Sequence, residues 1–292
     1  GLKSGVAYGH VFVVYGNLTI DGETYKVASD GKHTAGVVNN GGGITGGYTS
    51  AGEGGGGFYV PVGGTLIMNG GSIYNCYSSV NADAVGGGGG VHVRGKFILN
   101  NGYIHDCATY VGTTDGGAVA VGAASTTATS GCGYFEMNGG ALFDCSAFNH
   151  GGAVDVSGPG GANGAKPSTM VMNGGEIYAN TATTGFALSV GPWFGGKFIM
   201  NGGYIHDHVS SVAGLFSTGE NNGTIELNGG VISGNKTTGF LCANSSSYNN
   251  VSIGGGIQIF GNKNPAGTVE QNLMPGSVRI KITGDLGANG KM

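Results

Sequence analysis

The residues best equipped for chemistry recur in one phrase. Ile104-His105-Asp106 and Ile205-His206-Asp207 each set an imidazole beside a carboxylate. Such a pair suits general acid–base catalysis where a partner lies within hydrogen-bond reach and a cleft admits substrate. Asp106 and Asp144 hold equivalent positions in neighbouring repeats. Carboxylates one strand spacing apart, about 4.8 Å, could bind Ca²⁺ or share a proton. Each feature also has a plainer role. An aspartate that follows a short strand accepts backbone N–H bonds in a turn. The two histidines stand where other repeats carry Tyr74, Phe143, Tyr178 and Phe260. We therefore read the aspartates as turn residues and the histidines as members of a repeated surface stripe. No catalytic, cofactor-binding or metal set is assigned. The five cysteines, Cys76, Cys107, Cys132, Cys145 and Cys242, include no CxxC pair, and no GxxxxGK[ST] phrase occurs.

The elements that position these residues follow from an internal repeat. LIMNGGSI at 66–73, FILNNGYI at 97–104, FEMNGGAL at 135–142, MVMNGGEI at 170–177, FIMNGGYI at 198–205 and IELNGGVI at 225–232 are copies of one another. Their anchors are Asn69, Asn100, Asn138, Asn173, Asn201 and Asn228, with a looser copy at Asn40 and a degraded one at Gly255. A second phrase lies between the anchors: GGGFYV at 55–60, GGGVHV at 88–93, GGAVAV at 116–121 and GGAVDV at 151–156. Apolar residues alternate within both phrases, which is strand periodicity. Constant strand phrases joined by loops of varying length predict a solenoid, with three short strands and three turns per coil.

Stacking the coils predicts ladders. Four residues past the anchors runs an aliphatic column, Ile44, Ile73, Ile104, Leu142, Ile177, Ile205, Ile232 and Ile259. Seven past them stand Cys76, Cys107, Cys145, Asn180, His208, Asn235 and Asn262, a column of small polar residues able to bond turn backbone along the stack. Consecutive rungs would bring the cysteines within the Cα range of a disulfide. Parallel side chains point the same way, however, so free thiols are expected.

Composition agrees. Of 292 residues 66 are glycine and only 10% are charged. Glycine disfavours helices, and only 6 prolines exclude collagen. A hydrophobic content of 39% argues against a disordered chain. A net charge of −4 with no basic face argues against nucleic acid, and no apolar stretch is long enough for a membrane span. The expected fold is all-β, a single parallel β-helix (solenoid) of about nine to ten coils. Residues 1–35 form an irregular N-terminal coil or cap, 36–262 the repeats, and 263–292 the closing coil.

The FxxN phrases at 97–100, 135–138 and 198–201 and the GGAV phrases at 116–119 and 151–154 resemble the twin motifs of polymorphic outer-membrane-protein repeats, found in autotransporter-like passengers. The whole unit is similar to repeats of large surface proteins of anaerobic Gram-positive bacteria. The resemblance covers roughly residues 36–286. It implies a right-handed parallel β-helix in an extracellular, cell-surface or secreted protein, acting as an adhesin passenger or structural stalk; no cofactor is expected. Its partners would be a host or neighbouring-cell surface, glycan or protein, or another copy stacked end to end into a filament. The alternative is a polysaccharide lyase or glycoside hydrolase of the pectin-degrading β-helix type, working through Asp106 and Asp144. Arg279-Ile280-Lys281 matches one tripeptide of such hydrolases, but their NTD, paired-aspartate and GHG phrases are missing.

Overall fold

The computed structural model describes residues 9–22, 43–50, 52–80, 87–112, 114–122, 132–158, 167–183, 187–191, 195–218, 223–239, 241–242, 251–273 and 280–284. Every regular element among them is a β-strand, and each strand pairs in parallel with its counterpart in the next repeat. Sheet 1 has eight strands, built from the glycine-led phrases, and runs from Phe12–Val13 to Leu241–Cys242. Sheet 2 has nine, built from the residues before each anchor, and runs from Asn17–Ile20 to Ile280–Ile282. Sheet 3 has eight, built from the residues after each anchor, and runs from Gly43–Thr45 to Gln258–Phe260. The chain is an all-β parallel solenoid.

Two details differ from expectation. Five successive coils carry a fourth short strand, and these form a five-stranded sheet 4 from Tyr48–Thr49 to Thr181–Ala182. Sheet 4 occupies the start of segments expected to be loops, at 76–90 and 107–116. The coil count is also lower than nine to ten. The solenoid has about six turns. Ile280–Ile282 lengthens sheet 2 by one strand that has no counterpart in sheets 1 and 3 among the described residues.

The register is the one the anchors dictate. Ile104 pairs with Ile73 on one side and Leu142 on the other, and the column continues through Ile177, Ile205, Ile232 and Ile259. A one-residue slip in any strand would turn its apolar set outward. In sheet 2 the inward positions are Leu66 and Met68, Phe97 and Leu99, Phe135 and Met137, Met170 and Met172, Phe198 and Met200, then Ile225 and Leu227. All are essentially fully buried. Burying one such side chain contributes about 1.5–3 kcal/mol. Phe97 and Phe135 stack face to face with centroids 4.9 Å apart.

The corner between sheets 2 and 3 explains the Asn-Gly-Gly phrase. Gly140 has φ +74°, and a Cβ there would lie 2.2 Å from the carbonyl oxygen of Gly102 on the preceding rung. Both the backbone angle and the close approach demand glycine.

Candidate functional site

The corner after sheet 3 fixes the aspartates. Asn75, Asp106, Asp144, Ala179 and Asp207 have φ between 50° and 53°, and Gly234 continues the column at 73°. The left-handed conformation disfavours most L-residues and suits Gly, Asn and Asp. Residue type at this column therefore answers a backbone requirement. The carboxylates of two of the aspartates meet the imidazole that precedes them: Asp106 Oδ2 lies 2.7 Å from His105 Nδ1, and Asp207 Oδ2 lies 2.9 Å from His206 Nδ1. Asp144 sits on the rung after Asp106. Its carboxyl is pushed above the usual range, chiefly by burial and next by the charge of Asp106.

The outer face of sheet 3 carries the aromatic column, and here the surface-stripe expectation is corrected. His105 and His206 are buried, 4% and 1% exposed. Neighbouring rings cover them: Tyr74, His105, Phe143, Tyr178 and His206 form one continuous stack with centroids 4.9–5.3 Å apart. The near-equal spacing follows from strand spacing, since each ring rests on the ring of the next rung. Nε2 of His206 faces Glu176 Oε2 at 3.3 Å while Nδ1 faces Asp207, so the ring is bracketed by two carboxylates. Tyr204 covers it from its own strand, with centroids 3.9 Å apart.

Beside the stack runs a second outward column, Tyr103, Ala141, Glu176 and Tyr204, paired in register. Ala141 is the small member. Its lack of a side chain beyond Cβ opens a recess of about 410 Å³, lined by Tyr103, Ala141, Glu176, Tyr178, Tyr204 and Asn101, with glycines of the Asn-Gly-Gly corners at its rim. Tyr103 is mostly buried and meets Phe143 edge-on at 6.0 Å. Glu176, Tyr178 and Tyr204 are half-buried. The Tyr204 hydroxyl lies 2.9 Å from that of Ser233. Sequence reading missed this column. The signal was present: residues three and five past an anchor share a strand face, and only the latter were aligned.

The two ladders expected from stacking lie on opposite sides of the wall. The anchors form an exposed amide chain. Asn69 Nδ2 donates to Asp21 Oδ1 (2.7 Å), and Asn100, Asn138, Asn173, Asn201 and Asn228 each donate to the anchor before, at 2.8–3.1 Å. The second ladder is inside. Asn180, His208, Asn235 and Asn262 are buried. Each accepts a backbone N–H of the preceding rung: Asn180 Oδ1 from Cys145, His208 Nδ1 from Asn180, Asn235 Oδ1 from His208, and Asn262 Oδ1 from Asn235. Burial lowers the His208 pKa to about 4. The neutral ring then accepts at Nδ1 and donates from Nε2 to the Ile177 carbonyl at 3.2 Å.

Cys76, Cys107 and Cys145 complete this inner ladder as free, buried thiols. Each Sγ donates to the carbonyl two residues earlier, at 3.3–3.4 Å. Burial drives the Cys107 thiol well up, and the Cys107 hydrogen bond does the same for Cys76. The thiolate is the reactive form. The native protein should therefore leave these three cysteines unlabelled by a thiol reagent over a period in which the denatured protein labels fully. A mass rise of about 2 Da on reduction without labelling would show a disulfide instead.

A separate polar cluster lies on sheet 1. Glu53 pairs with Arg94 at 2.8 Å and approaches His92 at 3.6 Å, while His92 Nε2 meets the Gly122 carbonyl at 2.9 Å. Burial lowers the His92 pKa. Two rungs on, Asp155 is raised well above the carboxylate range by burial and then by Asp115; the Ser157 hydroxyl donates to it at 2.8 Å. Among the described residues no group of three His, Cys, Asp or Glu side chains is placed to hold a metal ion. Fold and ladders together define the class, a parallel β-helix solenoid. Comparison with protein-family models, curated proteins and solved structures finds no match to this chain.

Proposed function

We propose that the chain is a non-enzymatic extracellular surface β-helix, an adhesin passenger or structural stalk. One observation carries the reading: the residues best suited to catalysis have rung-by-rung structural duties. Asp106 and Asp144 occupy left-handed corners that recur in five successive turns with Asn, Asp or Ala. His105 and His206 are links in a buried ring stack. A pectin-degrading site would need its carboxylates free to hold Ca²⁺ or a proton at a cleft, and two of the three corner aspartates, Asp106 and Asp207, lie against histidine nitrogens. The first rung exposes Val11, Phe12 and Val13 by 40–45%. Exposed apolar side chains on the first described rung favour association with another surface, a second copy stacked end to end among them.

The test has two arms. Intact cells producing the full-length protein should bind antibody raised against this chain; binding only after permeabilisation would overturn the extracellular reading. The purified chain should leave polygalacturonate uncleaved with Ca²⁺ present. Cleavage that disappears in an Asp106→Ala, Asp144→Ala double variant would establish the lyase or hydrolase alternative.

A further inference from the structure

We infer that the recess on sheet 3 is a binding site for a glycan bearing protonated amines, a glucosamine-type chain lying along the solenoid axis. The inference deepens the adhesin reading and rests on it. Three observations combine. The recess spans consecutive rungs of one column, with Tyr103 at one end, Tyr204 at the other, and Ala141 and Glu176 between them. Three rung steps make its long dimension roughly 14 Å, and it runs along the stack. That shape admits an extended polymer better than a compact ligand.

Its lining is tyrosine and amide, with half-buried Tyr178 and Tyr204 and the Asn101 side chain. Phenol rings offer an apolar face to the C–H face of a sugar and a polar edge to its hydroxyls. The charge of the wall then selects among glycans. Glu176 lines the recess, and Asp106, Asp144 and Asp207 stand at the corners of the same rungs. The strands and corners from 69 to 75, 100 to 106, 138 to 144, 173 to 179 and 201 to 207 contain no lysine or arginine. Their cationic capacity is confined to His105 and His206, each already against a carboxylate. A uronate or sulfated chain would meet like charge here. An ammonium group gains from the carboxylate and from the tyrosine faces together.

The test is binding of three oligosaccharides of equal length to the purified chain by calorimetry: deacetylated chito-oligosaccharide, its N-acetylated form, and oligogalacturonate. The deacetylated form should bind tightest, weaken as salt is raised, and lose affinity about tenfold in Glu176→Gln and in Tyr204→Ala. Tyr204→Phe keeps the ring and should retain most of the binding. Thermal unfolding of each variant separates lost binding from lost fold. Equal binding of the acetylated form, tighter binding of oligogalacturonate, no binding of any of the three, or binding indifferent to both Glu176→Gln and Tyr204→Ala would each overturn the inference. Surface display is read by the antibody test above, so failure of the recess and failure of the adhesin reading give different results.

Discussion

Phe135→Ala should lower the unfolding free energy by about 3–5 kcal/mol. Phe135 is fully buried on the inward side of sheet 2, stacked on Phe97 at 4.9 Å and in register with Met170 on the following rung. Removing the ring deletes contacts with two rungs at once. The rungs are held by backbone hydrogen bonds on both sides, so the wall cannot collapse into the gap, and the cavity term applies nearly in full. In a solenoid each turn is stabilised mainly by its neighbours, so the damage should weaken the interfaces on either side of the substituted rung. Denaturant unfolding followed by circular dichroism checks this through the shift of midpoint. Phe135→Leu refills much of the volume and should lose far less. Phe148, 45% exposed, is the control, and its alanine variant should move stability by under about 0.5 kcal/mol. A Phe135→Ala loss as small as the control's would mean that the inner row does not hold the stack together.

The solenoid was legible because its sequence repeats what the backbone repeats. Asn69, Asn100 and Asn138 are spaced unequally, by 31 and 38 residues. Yet the strands before them pair without slip, Leu99 opposite both Met68 and Met137. Inserted loops leave the rungs in place, so anchoring on Asn recovers register that a fixed period would lose. Ladder identity followed for the same reason. Burial did not. His105 and His206 read as surface residues because alternation places them outward, and outward on a sheet usually means wet. Here the outward rings of five successive rungs stack and seal one another. The recess was hidden differently: it is made by an absence, alanine at 141 between larger neighbours. Single-sequence alignment shows such a gap only when columns on the same face are read together. Sheet 4 escaped because two-residue strands such as Ala108–Thr109 are too short to show periodicity. The coil count was overestimated partly because the tail was counted as a closing coil, whereas Ile280–Ile282 adds a strand to sheet 2 alone among the described residues.

The second large effect separates the two asparagine ladders, which sequence alone cannot rank. Asn180→Ala should destabilise by about 3–5 kcal/mol, and Asn173→Ala by under about 1 kcal/mol. Asn180 is 2% exposed. Its Oδ1 accepts the Cys145 N–H at 3.0 Å, and its Nδ2 donates to the Leu142 and Tyr178 carbonyls at 3.0 and 2.8 Å. Alanine would leave one backbone donor short of its partner and two carbonyls short of theirs, in a wall that water does not reach. Each loss of this kind costs about 1–3 kcal/mol. Asn173 makes bonds of the same length, 2.9 Å to Asn138 and 2.9 Å from Asn201, but on the exposed side. Water replaces those partners when the side chain is removed. Asn180→Cys provides a graded third point. At the preceding rung Cys145 Sγ donates to the Phe143 carbonyl at 3.3 Å. A thiol at 180 should thus recover part of the donation but not the acceptor for Cys145 N–H. Its loss should fall between those of Asn180→Ala and the wild-type chain. Equal losses for Asn180→Ala and Asn173→Ala would sink the distinction, because burial and backbone partners are what set the inner ladder apart from the outer one.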